Sequence, residues 1–350
     1  MLIFLVIFAL CFVPFMIKSK NNKSNEKQTV KNQPSKTTIS EETTTTTQPQ
    51  KPGINFDYKN SNILTNDDIR SEAAILYDVS SNTVLFSKNK DKISFPASTT
   101  KIMTAYVALK YLPEDYIITV GTEITLIKPD SSIAYLSQGN VISLKDAVYA
   151  LMLPSGNDAA YAIAVNTARY VSEDPAMTDE DAVKYFCNLM NETATEIGAE
   201  NTHFCNPDGY HDLYHYTTAE DLLRIALKSA EIPLIAEISS AKYHHINIES
   251  GEEFFWSNGN SLIVPDSEYY VPFADGLKTG FTDEAGYCMV ATADHNGKKL
   301  VAVIMKAGSV RQRYIDAANL LYSETEPDKI KIEEPVTEQT QTTTITTMVS

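Results

Sequence analysis

Apolar and polar positions change period along this chain, and the changes mark out its elements. Residues 73–79 and 83–88 are apolar, β-branched runs separated by Ser80-Ser81-Asn82, a turn signal, which predicts a hairpin. From Ser98 to about Leu112 the period lengthens. Met103, Tyr106, Val107 and Leu109 recur at helical spacing, and Pro96 disfavours helix at the residue before it. A second helix is expected over residues 144–153, broken at Pro154-Ser155-Gly156-Asn157, and a third from Asp158 onward. Thr178-Asp179-Glu180-Asp181 has the form of a capping box opening a helix that ends near Gly198.

Late in the chain the strand period returns. Residues 287–293 and 300–306 flank His295-Asn296-Gly297, and Asn-Gly between such runs is the strongest short hairpin signal. Residues 316–321 close the pattern as a helix. Strands at both ends with helices between them predict an α+β fold. Its antiparallel sheet is built from the two ends of the folded region, is flanked by helices and carries an inserted helical region.

The termini read differently. Residues 2–17 carry no charge; as a helix they would span about 24 Å, short of a hydrocarbon core of roughly 30 Å. Residues 1–17 are read as a hydrophobic signal or membrane anchor, the chain's link to the cytoplasmic membrane. Lys18, Lys20, Lys23 and Lys27 follow it, no Lys or Arg precedes it, and no Ala-x-Ala-like cleavage site comes after it. Residues 18–58, rich in Lys, Thr and Pro, hold too little apolar surface to order themselves and are expected to be a disordered linker. Residues 324–350 are expected to be a disordered Thr-rich tail, which leaves 59–323 as the folded domain.

Composition narrows the chemistry. Apolar residues make up 43% of the chain, ample for a core, and a net charge of −16 excludes nucleic acid as a natural partner. Cys11 sits in the apolar segment; Cys187, Cys205 and Cys288 show neither disulfide nor zinc spacing and are expected as free buried thiols. No metal or cofactor is implied. His244 and His245 would point to opposite faces of a strand, towards solvent, and His215 is expected to make a structural hydrogen bond.

The candidate chemistry starts at Ser98-Thr99-Thr100-Lys101. A hydroxyl nucleophile needs a base, and a lysine one helical turn on faces the same side. Two further motifs follow in order: Ser155-Gly156-Asn157 between two helices, and Lys278-Thr279-Gly280 at the head of an expected strand. The order Ser-x-x-Lys, Ser-x-Asn, Lys-Thr-Gly is that of class A β-lactamases and penicillin-binding proteins. Ser98 would attack a carbonyl and Lys101, held neutral, would take its proton. Ser155 would relay a proton to the leaving amine and Asn157 would hold the substrate amide. Lys278 would supply positive charge and lower the Lys101 pKa by repulsion. Thr279 would meet a substrate carboxylate, and Gly280 would allow close backbone approach.

The surrounding text sharpens the resemblance. Residues 95–105, Leu153 through Ala160, Asn206-Pro207-Asp208-Gly209, Thr217-Thr218-Ala219-Glu220-Asp221 and Asp275 through Gly280 resemble the serine-type D-alanyl-D-alanine carboxypeptidases, low-molecular-mass penicillin-binding proteins. The likeness covers about residues 59–322. It implies a β-lactamase/transpeptidase-like fold, removal of the terminal D-alanine from peptidoglycan pentapeptide outside the cytoplasmic membrane, and a stable acyl-enzyme with β-lactams at Ser98. It also implies an oxyanion hole from the backbone N–H groups of Ser98 and Phe281, and a carboxylate-binding Arg313, with Arg311 close by. An extracytoplasmic site conflicts with the lysines after residue 17, and an upstream start encoding basic residues is the expected resolution. β-Lactamase and D,D-endopeptidase activities are the alternatives on the same site, although no Glu-x-x-Leu-Asn-like segment for fast deacylation lies between the second and third motifs.

Overall fold

Ten strands and seven helices make up the computed structural model, which describes residues 53–59 and 61–332. The strands are β1 (Asp57–Tyr58), β2 (Ala73–Asp78), β3 (Thr83–Lys88), β4 (Ile117–Thr119), β5 (Val141–Ser143), β6 (Tyr243–Asn247), β7 (Glu253–Ser257), β8 (Ala274–Thr282), β9 (Gly286–His295) and β10 (Lys298–Ala307). The helices are α1 (Lys101–Tyr111), α2 (Leu144–Met152), α3 (Asn157–Val171), α4 (Asp179–Glu196), α5 (Ala219–Ala230), α6 (Pro233–Ser240) and α7 (Val310–Ser323). Residues 1–17, the expected signal or anchor, lie outside the described residues.

The main sheet runs β1-β3-β2-β10-β9-β8, antiparallel throughout except for the parallel β1–β3 pair. Pairing of β2 with β10, with Ile75 opposite Val303, brings the two ends of the domain together as the sequence pattern predicts. The helices α1 to α6 are inserted between β3 and β8.

Alternation along the strands feeds two cores. Ala73, Ile75, Tyr77, Val303 and Met305 pack with the inserted helices. Ala74, Leu76, Ala302 and Ile304 pack with Tyr314, Ala317, Leu320 and Leu321 of α7 on the opposite face. Each fully buried Leu or Ile contributes about 1.5–3 kcal/mol, so a one-residue slip of β2 or β10 would exchange the two cores and is strongly disfavoured.

Local signals fix the ends of elements. Thr178 accepts from the Asp181 N–H at the start of α4, as the capping box requires, and Ser143, Thr218 and Ser309 do the same for α2, α5 and α7. Asn296 and Gly297 both take positive φ, 55° and 86°, which suits a tight β9–β10 turn.

Several expectations are corrected. Residues 97–100 form a 3-10 turn before α1 begins at Lys101. The last helix starts at Val310 rather than Asp316, because the Ser309 cap satisfies an N–H that the polar run Arg311-Gln312 gave no sign of burying. Residues 57–58, assigned to the linker, pair with β3. The start of the expected tail is also ordered: Lys331 exchanges two 2.8 Å hydrogen bonds with the Asn319 amide of α7.

Candidate active site

The 3-10 turn and α1 are placed so that Ser98 and Lys101 face the loop before α3 and the middle of β8. Backbone strain is concentrated here. Ala97 (φ 48°), Ser155 (φ 63°) and Leu277 (φ 122°) take positive φ, each at or immediately before one of the three motifs. Such conformations cost of order 1–3 kcal/mol and persist only where the surroundings enforce them.

Lys101 is fully buried, and its Nζ lies 2.9 Å from Ser98 Oγ, 2.7 Å from Asn157 Oδ1 and 2.8 Å from the Asp208 carbonyl oxygen. The Asn157 and Asp208 oxygens can only accept. A neutral amine therefore spends its two N–H groups on them and turns its lone pair to the Ser98 hydroxyl. Burial pushes the Lys101 pKa down to about 8, while the Asp208 and Asp158 carboxylates pull it up.

A second amine–hydroxyl pair faces the first. Lys278 Nζ donates to Ser155 Oγ at 3.0 Å and to the Thr279 carbonyl at 3.0 Å. Lys278 is pushed well below the usual lysine range by burial first, then by Lys101 and Arg313. Burial is the leading cause for both amines, and the repulsion between them, being mutual, acts in the direction the sequence predicts. The third motif also lies within β8 rather than at its head.

Gly280 is explained by approach. A Cβ there would sit 2.9 Å from the Ser98 nitrogen and 3.0 Å from that of Thr99, so only glycine lets β8 lie against the nucleophile turn. Thr279 is half-buried beside it, and Phe281 is exposed, stacked on Tyr287 with ring centroids 4.4 Å apart. Arg313, buried on α7, donates to the Gly280 carbonyl at 3.2 Å with its guanidinium over Tyr314. Arg311 instead lies at the surface against Glu268. Three basic side chains thus converge in a chain of net charge −16, with Arg313 holding its charge throughout.

Sequence reasoning named residues 206–209 only as part of the resemblance and gave them no role; this loop clamps α1 from behind. Its carbonyls at Pro207 and Asp208 accept from Thr104 Oγ1 (2.6 Å) and Lys101, and Gly209 (φ 83°) lies against the Ala97 carbonyl. His215 Nδ1 accepts from the Cys205 N–H at 3.1 Å, so Nε2 carries the proton and donates to Thr100 Oγ1 at 2.8 Å. Burial drops the His215 pKa to about 3, leaving it neutral. This is the structural hydrogen bond expected of His215. The Pro-Asp-Gly turn was the available signal for the loop, but its partner helix is more than a hundred residues away.

Asp158, the first residue after the second motif, accepts from the Ala134 and Leu136 N–H groups at 2.8 and 2.9 Å. Ser132 joins that segment to the site, donating to the Ser155 carbonyl and accepting from the Asn157 N–H. His244 and His245 do separate, but only His245 faces solvent as expected, meeting Glu253 at the surface; His244 is half-buried, stacked on Tyr149 and bonded to Asp146. Cys187 and Cys288 are buried free thiols, whereas Cys205 is only half-buried. Among the described residues no helix is long and apolar enough to cross a membrane.

With this geometry in view, comparison with known proteins is decisive. The family described as D-alanyl-D-alanine carboxypeptidase matches residues 60–309. The chain belongs to that family. It is 29% identical over 254 residues to D-alanyl-D-alanine carboxypeptidase DacF of Bacillus subtilis (strain 168), covering 72% of this chain and 61% of that protein. Against the D-alanyl-D-alanine carboxypeptidase of Streptomyces sp. (strain K15) it is 32% identical over 248 residues, covering 68% and 81%. The chain thus spans about 60% of the length of the Bacillus relative. The crystal structure of the Streptomyces K15 DD-transpeptidase superposes with a TM-score of 0.67 at 30% identity, covering 74% of this chain and 98% of that one. Penicillin-Binding Protein D2 from Listeria monocytogenes, in its ampicillin-bound form, gives 0.60 at 26% identity, covering 74% and 99%. These neighbours share the β-lactamase/transpeptidase-like arrangement of helices on an antiparallel sheet.

Proposed function

We propose that this chain is a serine-type D-alanyl-D-alanine carboxypeptidase that removes the terminal D-alanine of peptidoglycan pentapeptide outside the cytoplasmic membrane. The observation that carries this reading is the fully buried Lys101 amine, 2.9 Å from Ser98 Oγ, with its other partners both acceptors.

Ser98 Oγ attacks the carbonyl carbon of the penultimate D-alanine as its proton passes to Lys101 Nζ. The negative oxygen of the tetrahedral intermediate is held by the backbone N–H groups of Ser98 and Phe281. Asn157 steadies the substrate amide. Collapse breaks the C–N bond, the departing amine takes a proton from Ser155 Oγ, and the proton that Lys101 took from Ser98 restores that hydroxyl, which Lys278 Nζ holds in place at 3.0 Å. Water then cleaves the Ser98 ester. Thr279, with Arg313 behind it, receives the terminal carboxylate, the natural guest of a cationic pocket in an acidic chain.

A β-lactam opens on Ser98 in the same way, but its leaving nitrogen stays tethered and the acyl-enzyme persists. Residues 2–17, sixteen uncharged residues, are proposed as the membrane tether. The test is D-alanine release from a soluble pentapeptide, with and without penicillin. Release blocked in step with a long-lived adduct on Ser98 supports the reading; rapid penicillin turnover without D-alanine release makes the protein a β-lactamase instead.

A further inference from the structure

The segment that braces the second motif also carries a feature the reaction does not use. Tyr135 takes positive φ (65°) and leaves its ring 75% exposed. Its two neighbours are held from inside: the Ala134 and Leu136 N–H groups donate to the buried Asp158 carboxylate, and the Ala134 carbonyl accepts from Trp256 Nε1 at 2.9 Å. A strained backbone fixed by a buried carboxylate, with the side chain sent outward, places an aromatic ring rather than a core residue. Across an open groove of about 440 Å³ stands Phe255 of β7, 63% exposed, and Tyr243 of β6 stacks beside it. Ser137, Glu252, Glu253 and Trp256 also line it.

Exposed rings set beside carboxylates and a hydroxyl are the chemistry of saccharide binding. The apolar C–H faces of a sugar lie on aromatic rings, while its hydroxyls donate to carboxylate oxygens, which keep acceptor capacity even when already paired. An anionic polymer would be repelled by Glu252 and Glu253; a neutral one would not.

Distance points the same way. The groove joins the site through Ser132, which bonds the Ser155 carbonyl and the Asn157 N–H, and Tyr135 is three residues further along, at most about 10 Å of chain. In a stem pentapeptide four residues separate the scissile bond from the sugar, a reach of up to about 14 Å. We propose that Tyr135 and Phe255 form a platform for the neutral glycan strand, so that the preferred substrate is a stem peptide carried on polymer rather than a free peptide. This rests on the carboxypeptidase reading above.

The test uses Phe255→Ser and Tyr135→Asn, the latter because asparagine tolerates positive φ. Chitotetraose is titrated against the emission of Trp256, the chain's one tryptophan. D-alanine release is then compared between free pentapeptide and uncross-linked glycan bearing pentapeptides. The wild type is expected to show a saturable change in emission, weakened about tenfold in each variant. The polymer-to-peptide ratio of kcat/KM is expected to fall about tenfold, with the free-peptide rate preserved. Emission insensitive to millimolar chitotetraose, or a ratio unchanged in both variants, overturns the platform. A wild type silent on both substrates overturns the carboxypeptidase reading, and the chitotetraose titration then decides the platform by itself.

Discussion

Lys101 Nζ lies 2.9 Å from Ser98 Oγ and has no water-facing side, because Asn157 and the Asp208 carbonyl take its remaining hydrogen-bonding capacity. The base therefore works only when neutral. Burial lowers its pKa to about 8, so the neutral fraction grows as pH rises through that value. The second-order rate of Ser98 acylation by penicillin should climb about tenfold per pH unit below 8 and level off above it, as followed by stopped-flow mixing. Lys101→Arg, which cannot deprotonate, should lose about 10²–10⁴-fold. A rate flat from pH 6 to 9 would remove Lys101 from the role of base.

Gly209 sits where no side chain fits. Its φ is 83°, and a Cβ would fall 1.9 Å from the Ala97 carbonyl oxygen and 2.8 Å from Thr100 Oγ1. Gly209→Ala must push the nucleophile turn and its clamp apart. Displacement of an ångström at a reacting group can cost about 10²-fold, so acylation should fall by that order. Thermal unfolding should meanwhile report a loss of about 1–3 kcal/mol. Wild-type acylation in this variant would show that the loop merely covers α1.

Arg313 and Arg311 separate by partner. The first lies buried against Gly280 of the third motif; the second lies at the surface against Glu268. Arg313→Gln should raise KM for a peptide with a free C-terminal carboxylate about tenfold or more and change the reaction of the amidated peptide less. Arg311→Gln should leave both unchanged. Equal effects of the two substitutions would refute carboxylate binding by Arg313.

Much of this site was legible because its chemistry is local in sequence. Ser98 and Lys101 are one turn apart, and the hairpin at Asn296-Gly297 and the cap at Thr178 are short-range signals with a direct physical cause. What stayed hidden depends on distant partners. Nothing near Lys101 in sequence says that the Asp208 carbonyl, 107 positions on, will orient it, or that His215 will anchor Thr100. The dominance of burial in the Lys101 shift was hidden for the same reason: burial is a property of the packed fold, while the charge of Lys278 is visible in the letters. Strand β1 and the ordered start of the tail at Lys331 were missed because their order comes from pairing with β3 and Asn319, not from apolar content.

His215 gives a test of the clamp that does not depend on turnover. Its folded pKa, about 3, lies below the unfolded value of about 6.5, because burial takes the charged form of the ring out of water. Between those values the unfolded chain binds a proton that the folded chain refuses, so stability is lost as pH falls from 6.5 towards 3. At pH 5 this amounts to about 2 kcal/mol, or roughly 5 °C in Tm for a domain of this size. His215→Gln should lower Tm at pH 7 by loss of packing. It should also shrink the drop between pH 7 and pH 5 by that amount, as measured by calorimetry. Parallel Tm curves for the two proteins would mean that His215 takes up its proton in the fold as readily as in the unfolded chain, and that at pH 5 Thr100 is held by a cation instead.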